Sequence, residues 1–255
     1  MNSVSGNITI QGNSTSGFGV EIDTSTLSAN AGGVSIIGTS TAGGSSAGAA
    51  ISRSNISSQN GAISVIGTFA ANAIAGRGLL IDHNVAIASS GNGSITLQGT
   101  GANADFSEGF YGAGNNITVS SGGGNIAILG QSSANNSTAL FLGGSGIQIV
   151  APASGANITL QATAGASSGT ALVLGNAVIG SATNTGTVTL RADSMSSAGA
   201  NISGAGTLVI EPVTSSTTIG LGSGASGLQT TPRTGMLFFS RATEMAEPRR
   251  PWRNS

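Results

Sequence analysis

The chain has 255 residues, of which 7% are charged, and it contains no lysine and no cysteine. Phosphate neutralisation needs clustered Lys and Arg, so nucleic-acid binding is excluded, and without thiols so are disulfide scaffolds, thiol catalysis and thiolate zinc sites. Gly 42, Ser 39, Thr 26 and Asn 20 make up half of the chain, yet a net charge of −1 is too low for the charge-driven disordered class.

Ile and Val number 35 against 15 Leu, which favours strands. Short strands of one kind recur along the chain: Ile8-Thr9-Ile10, Val34-Ser35-Ile36, Ile63-Ser64-Val65, Ile95-Thr96-Leu97, Ile126-Ala127-Ile128, Ile158-Thr159-Leu160 and Val188-Thr189-Leu190. Their first apolar positions lie 26, 29, 32, 31, 32 and 30 residues apart, a mean of 30, and a further copy at Leu208 follows after only 20. Two weaker columns fall between these anchors. One runs through Val20-Glu21-Ile22, Ile51, Leu79-Leu80-Ile81, Leu140-Phe141-Leu142 and Leu172-Val173-Leu174. The other runs through Leu27, Ile56, Val85-Ala86-Ile87, Ile117-Thr118-Val119, Ile147-Gln148-Ile149 and Val178-Ile179.

Three short strands per period, separated by small turn residues, predict an all-β fold. The architecture expected is a right-handed parallel β-helix, or β-solenoid, of about seven turns over residues 1–228. At the usual rung spacing the rod would be roughly 35 Å long. Glycines at 6, 32, 61, 93, 124, 186 and 206, two places before an anchor, are expected to give the backbone freedom of a tight corner. Residues 100–114 read as a longer irregular connection. Met1 to Ile10 lacks the features of a signal peptide, and no apolar run approaches the length of a membrane span.

From Gln229 onward the composition changes. This stretch holds five of the eight arginines, three of the five prolines and the single Trp252, giving a tail of net +3 after a body of net −4. Residues 229–255 therefore read as a disordered or out-of-frame basic tail, with a basic arm for an acidic surface as the alternative.

Carboxylate pairs are the sharpest enzymatic signal on such a rod. Glu21 and Asp23 share an outward strand face, and Asp82 is placed to match Asp23 two turns later with Arg53 between them. That arrangement gives the alternative reading, a polysaccharide-active lyase or hydrolase. His83 follows Asp82 directly, so the two are expected on opposite faces of a strand, away from any triad geometry, and His83 reads as a lone surface or corner histidine. Asp105 and Glu108 lie near Phe106, Phe110 and Tyr111 in the one local acidic and aromatic cluster. A saccharide stacking on Tyr111 or Phe110, beside Asp105 and Glu108, is the candidate ligand contact. No catalytic, metal or cofactor site is expected. Thr9, Thr96, Thr159 and Thr189 suggest an ice-binding ladder, but Ser35, Ser64 and Ala127 interrupt it.

The repeated G-x-I-T-L-x-G strands and the closing segment from Leu208-Val209-Ile210-Glu211-Pro212 to Ile219-Gly220-Leu221-Gly222 resemble the filamentous-haemagglutinin-like exoproteins of Gram-negative bacteria. The resemblance covers residues 1–228. It implies a repeat segment of a non-enzymatic adhesin, secreted through an outer-membrane transporter by two-partner secretion and placed at the bacterial cell surface. Its partners would be a host or neighbouring-cell surface, including glycans.

Overall fold

Among the residues that the computed structural model describes, every regular element is a β-strand. These are residues 1–70, 76–103, 105–133, 136–152, 155–165, 169–197, 199–217, 219–221 and 228–230. Most of the basic tail, 231–255, therefore lies outside the described residues.

The main ladder is an eight-stranded sheet of Ile8–Ser14, Val34–Ser40, Ile63–Phe69, Ile95–Thr100, Ile126–Ser132, Ile158–Ala164, Thr187–Ala192 and Thr207–Glu211. Each strand is parallel to the next. The register sets Ile8 beside Val34, Val34 beside Ile63, and so on to Ile158 beside Val188 and Val188 beside Leu208. The anchors in the sequence are thus the rungs of the ladder: six full turns of about thirty residues, then one shortened to 20. A second, 13-stranded sheet carries both remaining columns. Its longest strands, Glu108–Ser121 and Leu140–Val150, run through the corner and serve both columns at once.

Alternation decides which residues enter the core. Val34, Ile36, Ile63, Val65, Ile95, Leu97, Ile126 and Ile128 are buried, whereas the residues between them are only partly covered. Leu79, Ile81, Phe110, Leu140 and Leu142 from the second column, and Ile56, Ile87, Ile117 and Ile149 from the third, complete one continuous cluster. β-Branched side chains suit it because they are stiff and pack on a pleated surface.

The corner glycines act differently from the sequence expectation. None of positions 6, 32, 61, 93, 124, 186 and 206 has a positive φ. A Cβ on Gly61 would lie 2.2 Å from the Gly32 carbonyl oxygen, and one on Gly93 would lie 2.1 Å from that of Gly61. Glycine is needed there because the carbonyl one rung away occupies the Cβ position. A second set of glycines meets a carbonyl of its own turn: at Gly38, Gly67 and Gly99 the missing Cβ would stand 2.1 Å from the carbonyl oxygens of Gly48, Gly78 and Gly109. These glycines let the main ladder and the second column cross backbone to backbone.

Near the last rung, Asp193 receives hydrogen bonds from the Thr214 amide (2.8 Å) and hydroxyl (2.6 Å). Burial pushes its carboxyl up, but the Thr214 bonds outweigh that and hold it below the usual range. A depressed pKa stabilises the fold above the unfolded value and loses that contribution as pH falls through the folded one. Asp193→Asn should therefore cost at most about 1 kcal/mol at pH 7. The difference from wild type should shrink as pH drops below 3.8 in urea-denaturation midpoints.

Candidate functional site

Only the first half of 100–114 is an irregular connection; the described residues between Thr100 and Glu108 belong to no strand. The second half begins the strand Glu108–Ser121, which pairs with Arg77–Asp82 on one side and Leu140–Val150 on the other. Phe110 stands in register with Leu79 and Leu140, and it is 2% exposed. It is a core residue, and no ligand can stack on it. The period alone could have located this rung, since Gly109-Phe110-Tyr111-Gly112 lies 31 residues after Gly78 and 30 before Ala139. Aromatic residues in place of Leu and Ile concealed it.

Tyr111 points outward, yet both faces of its ring are occupied. Phe141, its register partner, stacks on one face at 4.8 Å and 10°. The Arg77 guanidinium covers the other, 4.2 Å from the ring centroid. The stack is a cation–π and π–π ladder along the rod, so Tyr111 offers a saccharide only its edge. Arg77, which sequence reasoning did not single out, also faces Glu108 at 3.6 Å. Burial raises the Glu108 carboxyl above its ordinary range, with the Arg77 charge opposing. Their nearest atoms, Arg77 Nε and Glu108 Oε2, form no hydrogen bond, so the pair is held by charge alone. Of the four candidate contacts, only Asp105 is left exposed and uncommitted to this cluster.

The second acidic feature sits at the corner between the two columns of the larger sheet. Asp23, Ser52 and Asp82 share one register position, as the sequence spacing implied. The residues that follow, Thr24, Arg53 and His83, turn the corner with φ of 48°, 45° and 45°. That left-handed turn makes His83 a corner residue, as expected, but overturns the expectation that it faces away from Asp82. His83 lies at the corner and not in a strand, so its imidazole swings back and Nδ1 comes within 2.5 Å of Asp82 Oδ1. Gly114, one rung on, makes room: a Cβ there would lie 2.7 Å from both Asp82 and His83.

Arg53 chooses one acid. Its NH2 group donates to Asp23 Oδ2 at 2.6 Å, and its Nε donates to Thr24 Oγ1 at 3.3 Å. The Arg53 hydrogen bond holds the Asp23 carboxyl below its usual range. A glycosidase general acid needs the opposite shift. The two acids stand two rungs apart, roughly 10 Å, near the upper limit for an inverting pair. Arg53 is thus paired with Asp23 across one rung, while His83 contacts the adjacent Asp82 on its own rung. Glu21 faces outward and exposed beside them. Among the described residues no group of three or more His, Asp or Glu could hold a metal ion.

On the main ladder Thr9, Ser35, Ser64, Thr96, Ala127, Thr159 and Thr189 form one outward row that ends at Val209. Serine, alanine and valine break the spacing of threonine hydroxyls. The next outward row is Gln11, Ile37, Ile66, Gln98, Leu129, Gln161, Arg191 and Glu211, whose only charges, on Arg191 and Glu211, pair with each other at 3.4 Å. Comparison of the chain with protein-family models, with curated proteins and with solved structures finds no match.

Proposed function

We propose that this chain is a non-enzymatic rod segment of a bacterial surface protein that holds contact surfaces away from the cell for adhesion. The supporting observation is the unbroken eight-rung ladder, whose outward rows carry hydroxyl, amide and aliphatic groups apart from the paired Arg191 and Glu211. Most ionisable groups are used in pairs instead: Arg53 with Asp23, Arg77 with Glu108, His83 with Asp82 and Arg191 with Glu211. The likeness to filamentous-haemagglutinin-like exoproteins adds the export route, through an outer-membrane transporter, and the location at the cell surface.

Beads carrying the full chain should be retained on epithelial or bacterial cell layers more strongly than beads carrying an unrelated β-solenoid of similar length. A parallel screen for reducing-end or unsaturated products on common polysaccharides should give none. Product release abolished by Asp82→Asn would replace this reading with the enzymatic one.

A further inference from the structure

Phe106 breaks a local rule without any structural return. Its φ is +58°, a left-handed conformation that Gly, Asn and Asp adopt readily and bulky residues avoid. One rung on, thirty residues later, the same place is taken by Asn136 with φ +54°, a residue suited to it. Phe106 does not make up for its conformation by packing, because it is 53% exposed while Phe69 and Phe110 are buried.

The conformation is imposed by the next residue. Ser107 is fully buried; its amide donates to Ser137 Oγ at 2.9 Å, and its carbonyl accepts from Ser132 Oγ at 2.7 Å. Held twice by the next turn, Ser107 fixes the turn that presents the Phe106 ring to solvent. Asn103 and Asp105 on the same connection, and Asn136 on the next, are exposed as well. An exposed ring thus shares its connection with the carboxylate of Asp105 and the amide of Asn103, and Asn136 takes its place one rung on.

We infer that Phe106, Asp105, Asn103 and Asn136 form a saccharide-contact site, with the ring stacking on the C–H face of a neutral sugar and the polar groups taking its hydroxyls. This deepens the adhesive reading and rests on it. A membrane is the poorer partner: Asp105 repels anionic headgroups, and Arg77, the cation of the adjoining strand, is committed to Tyr111 and Glu108. A protein hot spot needs a desolvated surround, which a solitary ring lacks.

The test uses the full chain, labelled at its N-terminus, on an array of neutral oligosaccharides, with phosphatidylserine vesicles as a second probe. Wild type should be retained by a subset of sugars and not by vesicles. Phe106→Asn should weaken that retention at least tenfold, and Asp105→Ala should weaken it too. Because asparagine suits this backbone, Phe106→Asn should melt no lower than wild type, so lost binding is not lost folding. Retention unchanged in Phe106→Asn, no sugar retained, vesicle binding instead, or a lower melting temperature would each overturn the site. Bead adhesion that survives Phe106→Asn and excess sugar would overturn the site and leave the rod reading standing. Sugar retention that depends on Phe106, without adhesion to any cell layer, would keep the site and overturn the adhesive reading.

Discussion

Gly99→Ala is expected to destabilise the protein by about 3 kcal/mol or more, at the upper end of overpacking effects. The added methyl would stand 2.1 Å from the Gly109 carbonyl oxygen, 2.6 Å from its carbon and 2.9 Å from the Leu79 amide nitrogen. All three are backbone atoms held in ladders on both sides, so none can rotate away as a side chain would. Relief would require the main ladder and the second column to separate over several rungs. Gly44→Ala is the informative control. It has φ +81° and nothing within 4 Å of the added Cβ, so it should cost only the left-handed backbone penalty of about 1 kcal/mol. Urea denaturation of the two variants separates close approach from conformational strain as the reason for these glycines.

Leu97→Ala should cost about 2–5 kcal/mol, the range for a cavity left in a core that relaxes only in part. Leu97 has no exposed surface and lies between Val65 and Ile128 in the inward row. Rungs above and below are fixed by their own hydrogen bonds, so the gap cannot close by collapse along the rod. Its neighbour Gln98 faces outward, between Ile66 and Leu129, and Gln98→Ala should change stability by no more than about 0.5 kcal/mol. A ratio near one would mean that these two residues do not lie on opposite faces of a strand.

The repeat was legible because a solenoid writes its period directly into the chain. Each anchor from Ile8 to Val188, and the shortened step to Leu208, is a rung. The equivalence of Asp23 and Asp82 followed from counting apolar positions, and the register bears it out. Less legible was whatever depends on the third dimension across columns. Phe110 and Tyr111 replaced the aliphatic pattern, so a complete rung looked like a loop, and one candidate contact proved to be core. His83 was assigned the alternation of a strand, whereas a left-handed corner places it beside Asp82. Corner glycines were credited with conformational freedom, but a carbonyl thirty residues away, invisible to local sequence, excludes their side chains. Arg77 drew no notice because its partners, Tyr111 and Glu108, lie more than thirty residues ahead and meet it only through the ladder.

The register carries every site described above, and cysteine cross-linking measures it directly because the chain has no cysteine of its own. Thr96 and Ala127 are register partners on the outward face of adjacent rungs. At the spacing of paired strands they are within reach of a disulfide, whereas Ile128 points into the core. The double variant Thr96→Cys with Ala127→Cys should oxidise to an intramolecular disulfide in the folded protein, and Thr96→Cys with Ile128→Cys should stay reduced. Equal oxidation of the two pairs, or oxidation of the second alone, would contradict the parallel thirty-residue ladder.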